Sequence, residues 1–113
     1  MSHALRGLTA LIRSEPNAQI HAVATVLAII AALFFRISPI EWALVVFAIT
    51  GVWVAEALNT AIESVVDRVS SEIHPLSGRA KDVAAGGVLV AAIGALLVAG
   101  FVFGPRVLKL FGV

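Results

Sequence analysis

The chain has 113 residues, 60% of them hydrophobic and 13% charged, and its eight basic and seven acidic side chains leave a formal net charge of +1. At a mean hydropathy of +1.03, so short a chain carries more apolar surface than a water-soluble fold of its size buries, which excludes an ordinary soluble domain. The small net charge excludes an electrostatic grip on nucleic acid, and the lack of cysteine excludes disulfide scaffolds, thiolate nucleophiles and cysteine metal sites.

In chain order, residues 2–14 place Leu5, Leu8, Leu11 and Ile12 at helical spacing, with Arg6 and Arg13 elsewhere on the wheel. That pattern predicts an amphipathic helix lying on a membrane surface. The first apolar run, about 18–35, ends in Phe34, Phe35 and Arg36 without a small-residue cleavage site, so it reads as a membrane span and not as a signal peptide. Ser38-Pro39 supplies a turn. A second span, about 40–66, is purely apolar from Trp42 to Ala55 and then becomes half-polar through Glu56, Asn59, Glu63 and Asp67. The third, about 83–104, carries no charge and is expected to end at Pro105. The expected fold is an all-α membrane protein with an N-terminal surface helix and three transmembrane helices, forming one domain over residues 1–113.

Five basic residues flank the spans on the side of the N-terminus and the 68–82 loop (Arg6, Arg13, Arg68, Arg79, Lys81), against three on the other side (Arg36, Arg106, Lys109). This bias places the N-terminus in the cytoplasm. Gly87, Ala91, Ala95 and Ala99, with the Gly100/Gly104 pair, form a small-residue stripe that permits close helix approach in lipid. Three short helices make a thin bundle in which to bury acids, so a homo-oligomer is expected.

With Glu56 set to zero on a wheel of about 100° per residue, Asn59 falls at about 300°, Glu63 at about 340°, Asp67 at about 20° and Thr60 at about 40°. Ionisable residues cost roughly 2.5 to 3.5 kcal/mol each at the centre of a span, so this shared face meets protein or water and not lipid. If the span enters hydrocarbon near Ile40, Glu56 lies about 6 Å inside the opposite boundary, Glu63 at headgroup depth and Asp67 in water. Such a ladder suits an oily acceptor at its deep end and a charged, soluble donor at its shallow end. Glu15, in Ser14-Glu15-Pro16, and the Lys81-Asp82 pair border the same level. Together these groups offer hard oxygen ligands suited to Mg²⁺, which shares its shell with phosphates, so ATP-Mg²⁺ is the natural occupant. Without such a ligand, Lys81 and Asp82 read as interfacial anchors and Glu56 as an interhelical hydrogen-bonding group.

The run Glu56-Ala57-Leu58-Asn59-Thr60-Ala61-Ile62-Glu63, then Val65-Val66-Asp67-Arg68, and the block from Ser71 to Asp82 resemble the prokaryotic diacylglycerol kinase and undecaprenol kinase family of small membrane lipid kinases. With Glu15 and the three spans, the resemblance covers nearly the whole chain. It implies a homotrimer in the bacterial inner membrane, with active sites at subunit contacts, that moves the γ-phosphoryl group of ATP to a lipid hydroxyl. By matching position it implies that Glu56 is the general base and that Asn59 supports the catalytic centre. It further implies that Glu15 and Glu63 hold the metal, and that Asp67, Glu72, His74, Lys81 and Asp82 contact the nucleotide, with Lys81 on its phosphates. The sequence has neither a GxxxxGK[ST] loop nor the protein-kinase signatures, so metal and side chains must hold the phosphates.

Residues 15–21, which contain Asn17 and Ile20-His21, look more like the undecaprenol kinase branch, whereas residues 76–82 look more like the diacylglycerol kinase branch. Diacylglycerol, converted to phosphatidic acid in phospholipid metabolism, is the first choice of substrate, and undecaprenol, converted to undecaprenyl phosphate, is the alternative. A remote alternative is a small proton-coupled multidrug transporter. Such carriers usually have four spans and a carboxylate in the first, whereas span one here has none. A non-catalytic helper is a third reading, which lipid-dependent ATP consumption would exclude. His21 reads as a headgroup-level or bundle-facing residue without a chemical role, and His3 has no assignable function.

Overall fold

A computed structural model describes residues 2–69 and 75–113, and every regular element among them is an α-helix. The order is α1 (His3–Ser14), α2 (Pro16–Phe35), α3 (Pro39–Val69) and α4 (Pro75–Leu110). Ser2 caps α1 by accepting the Leu5 N–H at 3.3 Å. Leu11 is buried, while Leu5, Leu8 and Ile12 on the same helix stay exposed. Between α1 and α2 the chain is extended at Glu15, as a residue before proline prefers, and Pro16 fills a first-turn position that needs no N–H.

Two interlocking caps make the reversal from α2 to α3. Arg36 takes a left-handed conformation (φ 51°, ψ 56°), and the Arg36 and Ile37 N–H groups donate back to the Leu33 and Ala32 carbonyls at 3.4 and 3.3 Å. These are the paired bonds of a Schellman ending, and the residue beyond it, Ile37, is buried in one cluster with fully buried Ala32. Ser38 then opens α3 through a reciprocal box. Its hydroxyl accepts the Glu41 N–H at 3.2 Å, and the Glu41 carboxylate accepts the Ser38 N–H at 3.0 Å.

The third span differs from expectation at both ends, since α4 begins at Pro75 and continues through Pro105 to Leu110. Proline removes one backbone bond, the one to the Phe101 carbonyl, yet the helix continues, and the next residue ties this turn to its neighbours. The Arg106 guanidinium donates to the Val102 carbonyl at 2.7 Å and grips both Glu41 oxygens at 2.6 and 2.7 Å. At the far end, Lys81 pairs with Asp67 at 2.7 Å. These two ion pairs lie 26 residues apart along α3 (Glu41 to Asp67) and 25 along α4 (Lys81 to Arg106), so the helices run antiparallel without slippage. The separation is about 39 Å at 1.5 Å per residue, more than the ~30 Å of bilayer hydrocarbon.

Helices α2, α3 and α4 are each long and apolar enough to cross a membrane, and at most 22% of any of their apolar windows is buried inside the chain. That much bare apolar surface belongs in lipid or against other apolar surfaces, which makes the chain a multi-pass membrane protein. The core joins Ala32, Ile37, Val45 and Val102, flanked by Phe35, Trp42 and Phe103. The glycines of the α4 stripe take no part in packing within the chain, because a Cβ added at Gly87, Gly100 or Gly104 meets nothing within 4 Å.

Glu41 serves both the cap of α3 and the clasp to α4, whereas Arg106 serves the clasp and a bond to the Val102 carbonyl of its own helix. Glu41→Ala, which breaks the reciprocal cap besides the clasp, therefore lowers the thermal unfolding midpoint in detergent more than Arg106→Ala does, which loses one bond to Val102 besides it, and equal losses would show that the carboxylate's share of the cap is worth no more than that one bond.

Candidate active site

The polar face of α3 runs from buried to exposed in sequence order. Glu56 is 1% exposed and Asn59 7%, Glu63 is half-buried and Asp67 is open. One turn apart, the Asn59 amide donates to Glu63 at 3.2 Å. Asp67 accepts from Lys81 of α4, and Asp82 is exposed beside it. Glu15 sits at the joint of α1 and α2, and its side chain caps nothing on α2, which leaves the carboxylate available. Helix α1 packs against both α2 and α3. Glu72 and His74 lie outside the described residues. Among the described residues, no group of three or more carboxylates and imidazoles gathers into a self-contained metal site.

The deep end of the ladder holds a network that the sequence does not signal. His21, on α2, faces Glu56 across the helix contact with Nε2 and Oε2 3.5 Å apart. Trp53, three residues before Glu56, turns its ring edge-on to the imidazole, with centroids 6.5 Å apart. Its indole N–H donates to the Thr25 hydroxyl at 2.9 Å, and that hydroxyl donates to the His21 carbonyl at 2.7 Å. Helix α3 thus touches the ring of His21 directly and engages the Thr25 hydroxyl that bonds its carbonyl. The buried atoms Glu56 Oε2, His21 Nε2, Asn59 Oδ1 and Thr60 Oγ1 have no hydrogen-bond partner among the described residues. Each such atom costs about 1 to 3 kcal/mol if left unmet, so a cluster of four marks a place where bonding is completed by a ligand or by movement.

A cleft of about 310 Å³ opens next to this network between α2, α3 and α4. Its walls are apolar, including Ala24, Val52, Ala95 and Phe103, except where His21 and Thr25 reach them. An oily groove therefore meets His21, whose Nε2 faces the buried Glu56 carboxylate, and from Glu56 a row of polar side chains on α3 leads to Asp67 and Lys81. This is what a reaction between a lipid and a charged soluble molecule requires.

The sequence profile of the prokaryotic diacylglycerol kinase family matches residues 2–103. The chain belongs to this family. It is 39% identical over 104 residues to the undecaprenol kinase of Bacillus subtilis, covering 92% of this chain and 85% of that one. It is 40% identical over 92 residues to the diacylglycerol kinase of Escherichia coli, covering 81% of this chain and 75% of that one. As a member of the family it is an enzyme, a lipid kinase.

The Trp53 to Thr25 bond fixes the contact of α2 with α3 at the site. Trp53→Phe and Thr25→Val each cost about 1 kcal/mol of stability or more, the net worth of the hydrogen bond they share, and Thr25→Val loses its bond to the His21 carbonyl as well. Because both remove the same bond, the double variant loses less than the sum of the two in a denaturation cycle, and strict additivity would refute the pairing.

Proposed function

We propose that this kinase transfers the γ-phosphoryl group of ATP to the free hydroxyl of diacylglycerol, giving phosphatidic acid and ADP. The observation that carries this reading is the gradient of burial along one face of α3, from Glu56 at 1% exposure, behind the His21 that lines an apolar cleft, to open Asp67 paired with Lys81. The hydroxyl oxygen attacks the γ-phosphorus as the bond from that phosphorus to the bridging oxygen of ADP breaks. Glu56 takes the hydroxyl proton and Asn59 supports the centre by holding Glu63 in place. Lys81 turns from Asp67 to the phosphates, and Asp67, Glu72, His74 and Asp82 contact the nucleotide.

The donor set fits Mg²⁺. Glu15 and Glu63 are hard carboxylate ligands, with the unpartnered Asn59 Oδ1 one turn from Glu63. One or two carboxylates plus substrate phosphates are the usual shell of this ion. When bound, it would neutralise charge on the transferring phosphates. Glu15 and Glu63 would hold it.

The same reading makes α1 a surface helix, with its exposed leucines toward the lipid boundary. It places the N-terminus in the cytoplasm and the chain in the bacterial inner membrane. The thin cover that the spans give one another leaves apolar surface for neighbouring copies, and the family resemblance makes the assembly a homotrimer with active sites at subunit contacts.

Undecaprenol is the second reading. The undecaprenol kinase of Bacillus subtilis aligns with a larger share of the chain than the Escherichia coli enzyme does, and His21, from the segment that resembles that branch, stands beside Glu56.

Incubation of purified protein with radiolabelled ATP and each lipid in turn decides between them, and a preference for the polyprenol overturns diacylglycerol as acceptor. No lipid-dependent phosphorylation with either would overturn both. Glu56→Gln lowers turnover by about 10²-fold or more, the usual worth of a general base, and full activity in a folded Glu56→Gln preparation would remove Glu56 from that role.

A further inference from the structure

We propose that His21 is a positioning residue for Glu56, donating its Nε2–H to Oε2 and leaving the other carboxylate oxygen to take the proton of the lipid hydroxyl. The inference rests on the reading of Glu56 as the base and adds to it the group that aims that base. A carboxylate oxygen only accepts, so a buried Oε2 needs a donor. The atom that faces it is His21 Nε2, 3.5 Å away on another helix, and both atoms are unmet among the described residues. Closing by about 0.6 Å brings them to ordinary N–H···O distance and satisfies two buried groups at once.

The ring has Trp53 against it, and the backbone that carries it is tied within α2. Trp53 meets the imidazole edge-on, and the Thr25 hydroxyl, itself engaged by the Trp53 indole, holds the His21 carbonyl. Asn59, three residues on along α3, directs its amide to Glu63, and its unmet Oδ1 is an acceptor that cannot serve a carboxylate. Lys81 is engaged by Asp67 at the exposed end of the ladder. With Oε2 occupied, rotation of the Glu56 carboxylate is restricted and its second oxygen keeps one direction. Fixed direction of this kind is what turns a nearby base into an effective one.

His21 also lines the apolar cleft, so the test must separate aiming the base from touching the lipid. Steady-state kinetics of His21→Leu, His21→Gln and Glu56→Gln in mixed micelles do so. Loss of an orienting partner of this kind typically lowers activity about 10- to 100-fold. His21→Leu is expected to lower kcat by that factor with the KM for Mg-ATP unchanged. His21→Gln, whose side-chain amide can donate from nearly the same place, is expected to recover most of the loss. An unchanged kcat in His21→Leu, a loss confined to the KM for lipid, or a His21→Gln as poor as the leucine variant each overturns the proposal. If His21→Leu fails to fold, His21→Asn, whose shorter amide falls short of Oε2, is compared with His21→Gln, and equal kcat values overturn the proposal. Full activity in Glu56→Gln would instead defeat the reading of Glu56 as the base, which separates the two failures.

Discussion

A carboxylate placed within a membrane span must face protein, and Glu56 imposes that requirement on α3. At 1% exposure it is the most deeply enclosed large side chain among the described residues. Lipid on that side would leave a charge or a polar acid without partners in hydrocarbon. The face carrying Glu56 must therefore meet α2, and once it does, His21 comes opposite Glu56 and Thr25 opposite Trp53. One residue thereby sets the rotation of α3 and the register of its contact with α2.

The polar groups of this chain divide into two populations. Those with partners hold the scaffold. Ser38 with Glu41 starts α3, Glu41 with Arg106 clasps it to α4, and Trp53 with Thr25 ties it to α2. The buried groups without partners, His21 Nε2, Glu56 Oε2, Asn59 Oδ1 and Thr60 Oγ1, collect at one level of α2 and α3. A scaffold needs saturated hydrogen bonding, and a site needs unsaturated groups held still by saturated neighbours. In this chain the two kinds meet at Asn59, which gives its amide to Glu63 and keeps its oxygen free.

Much of this is legible in the sequence, for local reasons. Charge-free runs reveal the spans, since hydrocarbon thickness fixes their length, and helical periodicity alone puts Glu56, Asn59, Glu63 and Asp67 on one face. What local patterns do not carry is contact between residues far apart in the chain. Pro105 reads as a stop because the rule for proline is local, while the Arg106 clasp depends on Glu41, 65 residues away. The Ser38-Pro39-Ile40-Glu41 pattern does announce the start of α3, and its carboxylate is recognisable as a cap. Nothing announces that His21 faces Glu56, because the register between two helices is not written in the periodicity of either.

The exposed end of the ladder obeys a different energetic rule from the buried end. Lys81 and Asp67 are 39% and 65% exposed at their side chains, and ion pairs so open to water contribute little to stability. Such a pair can come apart when a better anion arrives. A triphosphate brings more negative charge than one carboxylate, so under the proposed reading Lys81 changes partner at small cost and Asp67 is released toward the nucleotide. Glu56 has no such freedom, because every partner available to it is already fixed in the helix contact. Under the same reading, a cation free to change partner at the exposed end and a fixed carboxylate at the buried end match what phosphoryl transfer asks of each. The donor must enter and leave from water, and the acceptor's proton must be met at one fixed point.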